Sequence, residues 1–273
     1  MSMSTNYETG TEDLAARLEG GVLTLTMNRP DRRNALSREM LAAMADCLAR
    51  AETDAEVRVI VLTGAGGAFC AGGDVKRMAA GGGEEVAIDT AIHRQRISQR
   101  ATSGMLYSMP KPTIAALPGA AAGAGFSLAL ACDLRIAADT AFLTTAFARV
   151  GFSGDYGGTF FLTRLLGAAK ARELYLLSDR VAADEAARLG LVNFVVPADK
   201  LATETDALAA RLAAGPPIAY RYMKENLNRA VNGEMADCLD LEVTHHVHTG
   251  KTEDHRNAAQ AFVEKRAPVF KGR

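Results

Sequence analysis

The 273-residue chain has no excess of charge of either sign, no long apolar run and no paired cysteines. Lys and Arg number 31 against 32 Asp and Glu, a formal charge of −1. This lacks the basic footprint of a general nucleic-acid binder. Nothing approaches the ~18 consecutive apolar residues of a membrane-spanning helix. The opening MSMSTNYETG is polar and lacks the apolar centre of a signal peptide. Residues 1–12 therefore read as a disordered leader, and the cytoplasm is the expected compartment. Cys47, Cys70, Cys132 and Cys238 are scattered without a CxxC pair, so neither a zinc site nor a disulfide framework is expected. A GK[ST] sequence is missing, which excludes a P-loop. What is present is globular composition, with 48% hydrophobic and 23% charged residues.

Periodicity divides the chain. Val22–Met27 alternates apolar and polar residues and reads as a strand. From Ser37, a plausible N-cap, Met40, Leu41, Met44, Cys47 and Leu48 repeat at helical spacing. Arg58–Leu62 is a short continuous apolar run, the mark of a strand buried on both faces. Strand, helix and buried strand in that order predict an α/β fold with parallel pairing. The glycine-rich and then acidic stretch 79–90 reads as a mobile loop opening a helix to about Tyr107. Further strands are expected at Thr113–Leu117, Asp133–Ala137, Ala141–Phe147 and Leu191–Val196. Helices are expected near 157–166, 168–177 and 183–189, the last stopped by Gly190. The rest is helical, with stripes of Ala219, Tyr222, Met223 and Leu227, then Met235, Leu239, Val243 and Val247. The expected division is a core over 13–198 and a helical region over 199–273.

Two glycine-rich turns carry the chemistry. Each follows a buried strand: TGAGGAFCAGGD at 63–74 and PGAAAGAGFSL at 118–128. Small residues let backbone approach a ligand, and free N–H groups at a helix start favour negative charge. Two such turns converging on one oxygen would form an oxyanion hole, in which one donor is worth ~3 kcal/mol. A dinucleotide fingerprint fails because Leu128 stands where the last glycine of GxGxxG belongs. Gly125–Ala129 imitates a nucleophile elbow, but Ser127 lies too far beyond the strand to sit on the turn. Tight packing of the two turns is the plain alternative.

The combination of Asn28-Arg29-Pro30, Asn34-Ala35-Leu36, AFCAGGDVKRM at 68–78, KPTIAALPGAAAGAG at 111–125 and CDLRIAA at 132–138 resembles the crotonase (enoyl-CoA hydratase/isomerase) superfamily. ADEAARLGLVNFVV at 183–196 and AFVEKRAPVFKGR at 261–273 extend the resemblance over nearly the whole chain. It implies a crotonase-like α/β spiral of ββα units with a C-terminal helical trimerisation region. It also implies a homotrimer or a hexamer (dimer of trimers), and a coenzyme A thioester as substrate with no tightly bound cofactor and no metal. Carried over by position, the oxyanion amides fall on Gly73 and Ala124. Arg29, Arg32, Arg33, Ala35, Ala71, Asp74, Val75 and Lys76 fall around the nucleotide end of CoA, and Lys265 and Lys271 are placed to reach a neighbour's CoA.

The resemblance breaks at both glutamates that activate water in the family's hydratases: Ser127 and Phe147 stand there. Neither supplies a general base. Asp155 aligns with the place where some isomerases carry an aspartate base and dehalogenase-like members an aspartate nucleophile. Its alternative role is the N-cap of the helix at 157. Ser127 is either a holder of a hydroxyl or water, or an ordinary helix position. Phe147 is either an apolar wall of the acyl pocket or plain core. His93 is a candidate helper base. His245, His246 and His248 read as a solvated or interfacial helix face rather than a metal site. Three functions follow: an enoyl-CoA isomerase or hydratase-type enzyme with Asp155 as acid/base, an acyl-CoA hydrolase or dehalogenase with Asp155 as nucleophile, and a non-catalytic acyl-CoA binder.

Overall fold

Alternate burial organises the first strands. The computed structural model describes residues 5–81 and 86–273. Within it β1 (Thr5–Asn6), β2 (Leu14–Glu19) and β3 (Val22–Met27) form an antiparallel meander. Leu23, Leu25 and Met27 are fully buried while their neighbours are half-exposed, the period-two pattern of a strand covered on one face. Gly20 and Gly21 close the β2–β3 hairpin with φ of 57° and 81°, as the favoured two-residue turn requires. Of the leader expected over residues 1–12, residues 1–4 lie outside the described residues, and Thr5–Asn6 form β1. Thr5 and Asn6 pair with Leu18 and Arg17, and Tyr7 N–H donates to Ala16 O at 3.1 Å. Backbone pairing orders residues 5–7, whose composition alone looks unstructured.

From β3 onward the main sheet is parallel. The later strands are β4 (Val59–Gly64), β5 (Thr113–Leu117), β6 (Ala121–Ala122), β7 (Leu134–Ala138), β8 (Phe142–Thr144), β9 (Val181–Ala182) and β10 (Phe194–Val196). Seven strands join in the order β1-β2-β3-β4-β5-β7-β10, and β6-β8-β9 form a small second sheet. The strand expected over Ala141–Phe147 stops at Thr144, because Ala146 turns to φ 57° and opens a short 3-10 turn.

The helices are α1 (Arg38–Thr53), α2 (Val75–Ala79), α3 (Ile88–Gln99), α4 (Met105–Ser108), α5 (Ala124–Ala131) and α6 (Gly158–Leu177). Then come α7 (Ala183–Arg188), α8 (Leu201–Ala213), α9 (Pro217–Ala230), α10 (Met235–Thr249) and α11 (Glu253–Val263). Ser37 caps α1, its Oγ accepting from Met40 N–H at 3.0 Å, and Met40, Met44, Cys47 and Leu48 are buried beneath it. The two helices expected at 157–166 and 168–177 are the halves of α6, broken at Gly167 with φ 75°. The centre of the loop expected over 79–90, residues 82–85, lies outside the described residues.

The helical tail divides later than the sequence suggests. α8 packs across β3, β4, β5 and β7 and buries Leu201, Ala209 and Ala213, so it completes the core. α9 buries Lys224, while Met223 and Leu227 of the expected apolar stripe stay exposed. The Lys224 ammonium donates to Leu106 O at 2.9 Å, Lys111 O at 3.2 Å and Asp133 Oδ2 at 2.8 Å. It thereby satisfies two carbonyls where α4 turns into β5 and ties the tail to the sheet. Lys224→Met would take the ammonium donor from Lys111 O and the cation from the Asp133 carboxylate, and is expected to cost about 2–4 kcal/mol, checked by the shift in denaturant midpoint.

Candidate active site

β4 and β5 are neighbours, and the loops leaving their C-terminal ends are the two glycine-rich turns. Such ends are where open α/β sheets place ligands. Backbone bonds lash the turns together. Phe69 and Cys70 N–H both donate to Ala120 O, at 3.0 and 3.1 Å, and Ala122 N–H returns to Cys70 O at 2.8 Å. Leu36 N–H donates to Gly72 O at 2.8 Å. Gly72 adopts φ 85°, and a Cβ there would stand 2.7 Å from Ala122 O and 3.3 Å from Ala124 N. Only glycine allows this approach. Beside it, the N–H groups of Gly73 and Ala124 donate to no protein acceptor among the described residues. Ala124 opens α5, so its amide also carries the positive end of the helix dipole.

Gly73 and Ala124 line one cavity of about 430 Å³ together with Asp155. Val75, Met78, Phe147, Val150 and Phe152 supply most of its apolar wall. Asp155 is the acidic group there. Its carboxylate makes no hydrogen bond or ion pair among the described residues, and Oδ1 is buried. Burial without a compensating cation pushes this carboxyl up to about 6. The capping role falls away: Gly157 is the N-cap of α6 and no side chain caps it. Gly158 N–H meets the Asp155 backbone carbonyl instead, at 3.2 Å.

An adjoining cavity of about 620 Å³ shares Ala71, Gly73 and Val75 with the first. Arg32, Arg33, Ala35, Asp74 and Lys76 also line it, so seven of the eight residues assigned by resemblance to the nucleotide end meet there. Arg29 is committed elsewhere. Its guanidinium donates to Ala35 O at 2.6 Å and to Asp74 Oδ2 at 3.3 Å, which makes it a brace behind the cavity wall. Asp74 caps α2 by accepting from Arg77 N–H at 3.1 Å. That bond, with Arg29 and Arg32, holds its carboxyl below the usual range. Asn34 fixes the preceding turn: its amide donates to Ala65 O and Ala68 O at 2.8 Å, and its oxygen accepts from Arg29 N–H at 2.9 Å.

Other candidates separate from this centre. Ser127 is buried in α5 with its Oγ bonded back to Gly123 O at 3.4 Å, an ordinary helix arrangement. Phe147 lines the cavity that holds Asp155 and stacks on Tyr175. His93 is exposed on α3, whose Gln95 and Gln99 reach the cavity instead. Lys271 pairs with Glu253 at 3.4 Å beside Arg58 and Pro112, at the opposite ends of β4 and β5, and Lys265 is exposed. His245 bonds Asn226 at 2.6 Å and stacks on Tyr222, while His246 and His248 are exposed. No group of side chains suited to a metal ion occurs among the described residues, and none of their helices is long and apolar enough to cross a membrane. The glutamines escaped the sequence reading, although their i, i+4 spacing puts them on one helix face.

The sequence profile of a family described as "Enoyl-CoA hydratase/isomerase" matches residues 17–273. The 1,2-epoxyphenylacetyl-CoA isomerase of Escherichia coli K12 is 37% identical over 265 residues, 96% of this chain and 99% of that protein. A crystal structure of an enoyl-CoA hydratase from Polaromonas sp. JS666 has a TM-score of 0.85 at 37% identity, covering 94% of this chain and 99% of that one. An enoyl-CoA hydratase subunit from Geobacillus kaustophilus gives 0.88 at 38% identity, covering 96% and 100%.

The isolated carboxylate has a measurable consequence for stability. With its pKa raised in the folded state to about 6 from 3.8, Asp155 releases its proton more readily when the chain unfolds. Stability therefore falls as pH rises from about 4 to about 6 and stays lower above that, by about 2–3 kcal/mol. Asp155→Asn is expected to raise the thermal midpoint at pH ~8 and to converge on the parent near pH ~4, checked by melting both proteins across that interval.

Proposed function

Because the chain belongs to the enoyl-CoA hydratase/isomerase family, we propose that it shifts a double bond within the acyl group of a coenzyme A thioester. The thioester carbonyl accepts from Gly73 and Ala124 N–H. Asp155, ionised, takes a proton from the α carbon of a 3-enoyl group, and the electron pair delocalises onto the carbonyl oxygen and the γ carbon. Asp155 then returns the proton to the γ carbon, which leaves the 2-enoyl thioester. Proton, charge and double bond all balance with no further reactant. Arg32, Arg33 and Lys76 meet the phosphates of the nucleotide end, where charge-assisted bonds are strongest.

The observation that carries this reading is the convergence of two unspent amides and one unpaired carboxylate on one apolar cavity. Preorganised donors at a developing oxyanion are worth most where water is excluded. A carboxyl raised to about 6 suits proton transfer in either direction near neutrality. Hydration would need a second group to deliver water, and Ser127 and Phe147 supply no carboxylate. Similarity to a protein named an isomerase supports the same choice.

The test is incubation with 2-enoyl- and 3-enoyl-CoAs in deuterated water. Label is expected at the α and γ carbons, with a kcat/KM that rises with pH through about 6 as Asp155 ionises. Asp155→Asn should lose about 10²–10⁴ in kcat. Full turnover by that variant rejects the proposal, and release of free CoA would point to hydrolysis.

A trimeric assembly, or a hexamer built from two trimers, belongs to the same proposal. Met235, Leu239, Val243 and Val247 of α10 are 53–77% exposed in the single chain, an apolar stripe that water disfavours. Leu239→Asp with Val243→Asp is expected to reduce the assembly to monomers in sedimentation velocity; an unchanged profile removes α10 from the interface.

A further inference from the structure

Behind Asp155, the corner between residues 151–157 and α6 holds a second polar group with no partner. Tyr175 of α6 stacks its ring on Phe147, with centroids 5.9 Å apart and planes at 15°. Its hydroxyl oxygen is buried and bonds to nothing among the described residues. Two glycines make room for it. A Cβ on Gly154 would lie 3.2 Å from that oxygen, and one on Gly158 only 2.4 Å. Asp155 directly follows the first of these glycines, and its Oδ1 is equally buried and unbonded.

The other titratable groups facing Asp155 are already engaged. Cys70 is fully buried, its thiol pushed up to about 12, and its Sγ accepts from Gly72 N–H at 3.4 Å. The Tyr156 hydroxyl lies 3.3 Å from Ser98 Oγ. Among the described residues no cation pairs with Asp155, and burial raises its carboxyl. Among the described residues, the phenol of Tyr175 is therefore the uncommitted donor beside an uncommitted carboxylate. A phenol offers one O–H, and an ionised carboxylate offers only acceptors. A bond between them would satisfy both at once, and two buried groups left unmatched favour it.

We propose that Tyr175 is a positioning residue: its hydroxyl donates to ionised Asp155, and holds that carboxylate toward the acyl cavity. The proposal rests on Asp155 being the base. The ring of Tyr175 keeps the acyl wall flat through Phe147, while its hydroxyl decides how readily the carboxylate gives up its proton.

Tyr175→Phe keeps the ring and deletes the donor. The Asp155 carboxyl can be titrated by ¹³C NMR in enzyme labelled at its aspartate carboxyls, with Asp155→Asn assigning the signal. In Tyr175→Phe that titration is expected to move up by about half to one pH unit. With a 3-enoyl-CoA, kcat/KM should then fall about two- to fivefold near pH ~6 and less than about twofold above pH ~8. Unchanged titration overturns the proposal, whether or not activity falls at every pH. A shifted titration with an unshifted pH–rate profile keeps the Tyr175–Asp155 bond and rejects Asp155 as the base. Ser127→Ala is the comparison, because Ser127 Oγ also borders Gly158, 2.5 Å from where its Cβ would stand. A shift in that variant alone gives the donor role to Ser127 and overturns the proposal.

Discussion

The site depends on the backbone bonds that fasten residues 69–72 to residues 120–122. Each turn by itself is a flexible glycine-rich loop with a large conformational entropy to lose. Joined through Cys70, Ala120 and Ala122 they form a short ladder, and that ladder sets the amides of Gly73 and Ala124 side by side. The amides of Phe69, Cys70, Ala71 and Ala122 are spent on carbonyls and that of Gly72 on Cys70 Sγ, which leaves these two free to face the cavity. The crotonase fold brings the turns together because parallel β4 and β5 end at one edge of the sheet.

Electrostatics then divides the site in two. The wider cavity is rimmed by exposed cations around the buried Asp74, where water still screens their charge. The narrower one holds an acid without a counter-ion. Ionising that acid is costly in an apolar pocket, and the same cost raises its basicity toward the working range of a proton shuttle. Arg29 contributes to the separation by neutralising Asp74 from behind while donating to Ala35 O, which keeps the cation-lined wall rigid.

Away from the site, the fold spends buried polar groups on joining its layers. Lys224 reaches two backbone carbonyls and Asp133, and Arg135 donates to Leu191 O at 2.7 Å and Cys132 O at 2.6 Å. Both cations donate to backbone carbonyls inside the fold, where an acceptor without a donor is costly. α8 belongs to this core, whereas Met223 and Leu227 of α9 and the apolar stripe of α10 remain uncovered in the isolated chain.

Periodicity and turn chemistry made much of the fold legible: β3, β4 and β5 from their apolar runs, α1 from Ser37 and its stripe, the end of α7 from Gly190. β2 was missed because Leu-Ala-Ala-Arg-Leu-Glu has helical preferences, and only pairing across the Gly20–Gly21 turn makes it a strand. The order of β1 depends on the same partner. Motif resemblance identified the family and named Gly73, Ala124 and Asp155, since short-range glycine patterns and a lone acid are written along the chain. Tertiary structure alone decided that Asp155 caps nothing, that Arg29 braces instead of facing the cavity, and that Gln95, Gln99 and Tyr175 stand near the acid. Those outcomes depend on which groups remain unpaired after residues far apart in sequence have packed, and no local pattern encodes that.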